Sequence, residues 1–279
     1  MQPIALATLA LVALGAARPP MRLGPKPPAN PARVVTLAPS LTEAVIALGA
    51  VSRLVGVTRF DDAREVQKLS RIGGYTDPSI EAVVALNPDL VLCEPSPGNR
   101  TAVERIAGLG VAVLAVGLGN EEEIYAALRE VGVALGLASQ GESLAKTTKA
   151  RVDAVRARAK NLKAVRTLVV FGWEPLVVAG PESYGDAMLR ATGAENAADA
   201  ARTPYPVFSA ELAIVAAPKV IIDAADVREP ARERLLAMPG IREARLAVAS
   251  PSLFRPGPRL AEAVEELFLL LHPEPPRRK

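Results

Sequence analysis

Two stretches of this chain, SIEAVVALNPDLVL beginning at Ser79 and SAELAIVAAPKVII beginning at Ser209, set the same residue types at the same spacing. Ser79, Glu81 and Pro88 correspond to Ser209, Glu211 and Pro218, each displaced by 130 positions. In each copy a serine opens a short helix, an acid occupies its first turn, a proline stops it, and a strand-like apolar run follows. A unit that recurs at a fixed offset predicts two lobes built to one plan. At 279 residues the chain also exceeds the usual size of one domain.

Between the copies lies GESLAKTTKARVDAVRARAKNLK, and residues 141–164 are expected to form one connecting helix. Leu144, Val152, Val155, Ala159 and Leu162 recur at the helical period, with lysines and arginines on the other faces. No proline interrupts the stretch and its only glycine is the first residue, so it reads as a rigid strut about 30 Å long. On either side, strands alternate with helices. The runs RVVTLAP, RLVGVT, DLVLCE and VAVLAVG precede the strut, and TLVVFG, KVIIDA and RLAVAS follow it. Ser40 with Glu43 and Thr101 with Glu104 have capping-box spacing, and Asn120 is placed to cap a further helix. Such alternation implies an α/β fold in which each lobe, 33–140 and 165–272, holds a parallel sheet covered on both faces. The apolar run IALATLALVALGAA predicts a signal peptide over residues 1–17 and export to the periplasm. A proline-rich linker at 18–32 and a tail at 273–279 complete the division.

Several function classes are excluded by what the chain lacks. Its net charge is only +3 and its cations are interleaved with acids, which argues against nucleic acid. Cys93 and His272 are each the only residue of their type, so neither a His/Cys metal site nor a Ser-His-Asp triad can be assembled. Cys93 lies in the apolar run LVLC and reads as a buried, inert thiol. No glycine-rich phosphate loop follows a strand, which leaves a nucleotide-dependent α/β enzyme without its usual holder. Aromatics make up only 4% of the chain, yet Phe60, Tyr75, Trp173, Tyr205 and Phe254 all fall at loops next to predicted strands or helices. In a two-lobe α/β protein those loops border the cleft between lobes, and rings gathered there suit an apolar or planar ligand. Arg59 and Arg255 lie beside these rings and can meet carboxylates or phosphates, as can Arg259; Arg71 and Arg202 read as solvated. Glu81 and Glu211 suit the helix dipole, and their symmetric placement also suits paired docking charges.

The segments RVVTLAPSLTEAVIALGA, LVGVTRFDD, IGGYTDPSIEAVVALNPDLVL, TLVVFG and YPVFSAELAIVAAPKVII occur in that order. Together they resemble the helical-backbone class of bacterial substrate-binding proteins, which serve ABC importers of cobalamin, ferric siderophores and haem. The chain is most similar to the cobalamin-binding members. It departs from their pattern where RFDDAREV has Phe60 and no proline, and where Pro251-Ser252 replaces an Asp-Trp pair. The resemblance implies two Rossmann-like lobes joined by a single long helix, no cofactor and no resident metal, and a monomer that carries a corrinoid as its transported ligand. It implies ligand contacts at Phe60, Tyr75, Trp173 and Tyr205, to which their loop positions add Phe254, Arg59 and Arg255. It assigns docking on an ABC permease to Glu81 and Glu211. Haem or a ferric siderophore is the alternative ligand, with Tyr75 or Tyr205 as the iron ligand if haem is bound.

Overall fold

The computed structural model describes residues 19–225, 230–250 and 252–273, so the expected signal peptide, Pro251 and the tail from residue 274 lie outside the described residues. Strands β1 (Met21–Leu23), β2 (Val34–Thr36), β3 (Leu54–Val57), β4 (Ser70–Arg71), β5 (Leu90–Cys93) and β6 (Val113–Ala115) form the first sheet, in the order β1-β6-β5-β2-β3-β4. Helices α1 (Pro39–Ala47), α2 (Ile80–Ala85), α3 (Arg100–Gly108) and α4 (Glu121–Ala134) alternate with them, and α5 (Ala138–Ala159) leads to the second sheet. There β7 (Arg166–Trp173), β8 (Leu176–Val178), β9 (Glu195–Asn196), β10 (Val207–Phe208), β11 (Val220–Asp223) and β12 (Arg245–Val248) take the order β10-β8-β7-β11-β12, with β9 beside the start of β7. Helices α6 (Tyr184–Ala191), α7 (Ala210–Ala216), α8 (Pro230–Leu236) and α9 (Leu260–Leu271) complete the second lobe.

Both sheets are mostly parallel, as the alternation of elements requires, with antiparallel pairs at β1–β6, β7–β8 and β8–β10. One of these pairs corrects the reading of residues 18–32 as linker. Met21, Arg22 and Leu23 register against Ala115, Leu114 and Val113, so the segment supplies the edge strand of the first sheet.

Side chains alternate across every strand, which divides the interior into layers. Val34, Leu90, Leu92 and Leu114 of the first sheet, and Val169, Val220 and Ile222 of the second, point into one inner core shared by both lobes. The alternate residues Val35, Val91, Cys93 and Val113 fill an outer core of the first lobe, and Leu168, Val170 and Ile221 fill that of the second. The 130-residue repeat therefore holds down to the face each side chain occupies: Leu90, Val91 and Leu92 match Val220, Ile221 and Ile222.

Helix α5 has 22 residues, which makes it about 33 Å long. It starts at Ala138, before the expected 141, and ends at Ala159, so Leu162 lies past the helix and is exposed. It is no free strut. Ala145, Val152, Val155 and Ala159 are buried in the inner core. Against α4 the backbones nearly touch: a Cβ on Gly132 would stand 2.7 Å from Gly141 Cα, and one on Gly141 would stand 2.8 Å from the Leu128 carbonyl oxygen. Arg156 reaches Glu121 of α4 at 2.8 Å, and Arg151 binds Glu262 and Glu265 of α9 at 2.7 and 2.8 Å, so α5 is braced to both lobes.

Serine caps form where the repeat predicts them, on Ala82 N–H from Ser79 and on Leu212 N–H from Ser209, and Asn120 caps α4. The capping boxes expected at Ser40 and Thr101 are absent. Helix α1 begins at Pro39 after Ala38, α3 begins at Arg100 after Asn99, and neither preceding residue makes a side-chain cap bond.

Candidate functional site

The ring-bearing loop of the first lobe leaves the carboxyl end of β3, where parallel sheets present their loops. Asp61 Oδ2 accepts from the Thr58 backbone N–H at 2.7 Å and from its hydroxyl at 2.6 Å, which closes a tight turn. Arg71, expected to be solvated, braces that turn from below by donating to the carbonyls of Thr58 and Asp61, both at 3.0 Å. Phe60 is left standing outward, 55% exposed. Arg59 lies 4.8 Å over its ring and forks onto Asp77 at 2.9 and 3.0 Å, which holds the Asp77 carboxyl below its ordinary value. This pair lies against Gly74, where a Cβ would stand 2.7 Å from the Arg59 guanidinium and push the exposed pair aside. Tyr75 is half-buried against the inner core. The buried Asn99 amide donates to the carbonyls of Tyr75 and Glu94 at 3.2 and 2.9 Å and pins the loop after β5 beside it.

In the second lobe Phe171, Tyr205 and Phe254 meet edge to face, with Phe171 at the centre 5.8 Å from Tyr205 and 5.4 Å from Phe254. Sequence reading missed Phe171 and chose Trp173 instead. Trp173 is 4% exposed, sits in the outer core, and donates its indole N–H to Asp223 at 3.0 Å. The cause is a bulge. Period-two alternation would put Phe171 and Trp173 on one face, but the register of β7 against β8 slips between Val170 and Gly172. Phe171 stays with the inner face, and Trp173 is turned to the outer one beside Leu168 and Val170. Trp173 is therefore removed from the ring set.

Tyr205 is 54% exposed as a residue, yet partial burial, with the charge of Glu94 acting in the same direction, raises its pKa above the ordinary phenol value. Glu94 ends the β5 segment of the first lobe, so this is a place where the lobes face each other. Deeper in the inner core, Tyr184 is buried, and its hydroxyl is the one buried side-chain polar atom without a hydrogen-bond partner among the described residues. Burial, with the charge of Glu121 next, pushes its pKa up as well.

The lobes are also joined directly. Arg255 donates to Glu43 at 2.7 Å and to both Asp62 oxygens at 2.9 and 3.2 Å, while Arg259 donates to Glu43 at 2.7 and 3.0 Å. Glu43 belongs to α1 and Asp62 follows the Phe60 turn, so both carboxylates are first-lobe groups held by second-lobe arginines. Arg255, expected against a ligand, has its guanidinium engaged by two carboxylates of the chain itself. A groove of about 600 Å³ runs along this seam, lined among others by Glu43, Asp62, Leu144 and Arg259. Glu81 and Glu211 stand exposed in the first turns of α2 and α7. Ser79 donates to Glu81 at 3.2 Å, and a hydrogen bond from Ser209 holds the Glu211 carboxyl below its usual value.

Among the described residues no cluster of three or more His, Cys, Asp or Glu side chains could hold a metal, and no helix is long and apolar enough to cross a membrane.

Comparison with known proteins agrees with this architecture. The chain is 30% identical over 198 residues to a vitamin B12-binding protein of Salmonella paratyphi A, covering 71% of this chain and 74% of that one. It is 29% identical over 257 residues to an uncharacterised ABC transporter substrate-binding lipoprotein of Bacillus subtilis, covering 88% and 81%. A periplasmic haem-binding protein of Pseudomonas aeruginosa superposes with a TM-score of 0.77 at 29% identity, covering 88% of this chain and 94% of that one. Such relatives are named as binding proteins and substrate-binding components of transporters, not as enzymes. The family description for periplasmic binding proteins matches residues 34–249. With two α/β lobes, a bracing helix and ring-bearing loops between them, this chain belongs to the periplasmic binding protein family of ABC transporters, whose members work in the periplasm or outside the cell.

Proposed function

We propose that the protein is exported by its apolar leader at residues 1–17, takes up cobalamin or a related corrinoid between its lobes, and delivers it to an ABC permease through Glu81 and Glu211. The observation that carries the choice of ligand is the state of the polar groups around the rings. Arg59 is neutralised by Asp77, and Arg255 and Arg259 by Glu43 and Asp62, so the cations nearest the rings are already engaged. An anionic siderophore, or the propionates of haem, would have to compete with these carboxylates. A broad ligand of little net charge is what Phe60 on one side and Phe171, Tyr205 and Phe254 on the other accommodate. The vitamin B12-binding relatives support the same reading.

The test is a titration of the purified protein with cyanocobalamin, haemin and a ferric siderophore, followed by visible spectra and by emission from Trp173. Cyanocobalamin should bind, and Phe60→Ala should weaken it about tenfold through loss of a ring contact. Haem is the second reading, favoured by the haem-binding structural neighbour. A tyrosinate charge-transfer band with haemin and no response to cyanocobalamin would replace the corrinoid with haem. For docking, Glu81→Lys with Glu211→Lys should spare ligand binding and abolish uptake in the native host.

A further inference from the structure

We infer that Arg255 is a positioning residue: it straps the two ring-bearing loops together and so sets the width of the gap that the ligand enters. This role rests on the rings forming the walls of the ligand site.

The strap is short on both sides. Arg255 directly follows Phe254, one of the second-lobe rings, and Asp62 lies two residues after Phe60, the exposed first-lobe ring. The Phe60 turn is itself fixed by Asp61 and Arg71, so a pull on Asp62 is transmitted to the ring and not lost in a flexible loop. On the second lobe, Phe254 is locked edge to face on Phe171. One guanidinium thereby connects two rigid ring mounts, 193 residues apart in sequence.

Three features separate this from an ordinary surface ion pair, which contributes little. Glu43 is 13% exposed and Arg255 20%, so the Arg255–Glu43 contact that anchors the strap is shielded from solvent and screened less by salt, while the Asp62 end is 69% exposed. Glu43 accepts from Arg255 and Arg259 together, which fixes its carboxylate from two directions. The lobes also lie against each other here: a Cβ on Gly257 would reach ordinary contact, 3.4 Å, with the Ser40 carbonyl oxygen of α1. Glu43 and Asp62 are first-lobe groups and Arg255 and Arg259 second-lobe groups, so a relative rotation of the lobes must lengthen these bonds. A gap held this way suits a flat ligand of one thickness, and loosening the strap lets the ligand leave faster.

The experiment uses the full chain with spin labels at Lys68→Cys and Thr203→Cys, two exposed positions on opposite lobes. Distances between labels are measured without ligand, and release of cyanocobalamin is timed in parallel. Arg255→Gln should broaden and shift the ligand-free distances and speed release about tenfold with little change in the rate of association. Arg255→Lys, which keeps a single contact, should be intermediate. Arg259→Gln should give a smaller broadening and serves if Arg255→Gln folds poorly, while Arg100→Gln, which breaks an exposed pair within one lobe, should match the parent. Ligand-free distances in both Arg255→Gln and Arg259→Gln that overlay the parent overturn the strap, and weakened binding with those distances unchanged would make Arg255 a direct contact. If the parent binds no corrinoid but the variants still broaden, the proposed ligand fails and the strap stands.

Discussion

Set side by side, the two lobes share a backbone plan and differ in what fills it. Strand β5 reads LVLC and β11 reads VIID, and the first three residues of each face the same layers. At the fourth position the lobes part. Cys93 is buried among apolar neighbours, whereas the equivalent Asp223 forms a buried pair with Arg232 at 2.7 Å and also accepts the Trp173 indole N–H. The helices before these strands differ as well. On α7, Leu212 is 51% and Val215 79% exposed, where α2 offers the smaller Ala82 and Ala85. A duplicated α/β unit therefore constrains register and facing, and leaves the chemistry at each slot free to diverge.

The largest test of that contrast compares the two fourth positions. Asp223→Ala should cost about 2–4 kcal/mol, because it leaves the buried Arg232 only the exposed Glu233 carboxylate and takes the acceptor from the Trp173 indole N–H, while Cys93→Ala should cost about 1 kcal/mol. Urea unfolding followed by circular dichroism measures both, and equal losses would erase the distinction. Next in size, Trp173→Phe should cost about 1–2 kcal/mol through the lost indole hydrogen bond and leave ligand affinity unchanged. Phe171→Leu should do the reverse, weakening corrinoid binding about tenfold with a smaller loss of stability. Third, burial pushes the Cys93 thiol up to about 12, so it should stay protonated at pH 8 and resist an aromatic disulfide reagent until the protein unfolds. Fast labelling of the folded chain would show that the outer core of the first lobe is open. The smallest effect concerns the seam between lobes. Hydrogen bonding from Arg255 holds Asp62 below its ordinary 3.8, with Arg259 also favouring the charged form. Because the folded value is the lower one, the contribution is complete above pH 3.8 and is lost as pH falls through the folded value. Inter-lobe distances should thus be the same at pH 7 and pH 5 and widen only in stronger acid.

Much of the architecture was legible in the residue pattern, because period-two and helical alternation follow directly from burial. The duplicated serine caps, the alternation of strands and helices and the long central helix were each readable locally. What escaped were features decided by distant contacts. Capping-box spacing at Ser40–Glu43 and Thr101–Glu104 misled because Glu43 is recruited by Arg255 and Arg259, while the Asn99 side-chain oxygen that could cap α3 accepts from the Ser96 N–H instead. The exchange of Trp173 for Phe171 depends on a one-residue slip between β7 and β8 that no composition rule reveals. Proline content suggested a free linker at residues 18–32, yet three residues there suffice to pair with β6. At the ring-bearing loops, the sequence identified the aromatics but not the partners of the arginines, since Arg255 meets carboxylates about two hundred positions away.

The inner core bears on how the molecule comes apart. Its apolar lining is contributed jointly by residues before and after α5, from Val34 to Leu271. Cutting the gene in the middle would leave each half with one greasy wall facing water, so neither fragment should persist alone. Mixed together they should reassemble, and the intact protein should melt in a single step, with no stage at which one half survives the loss of the other.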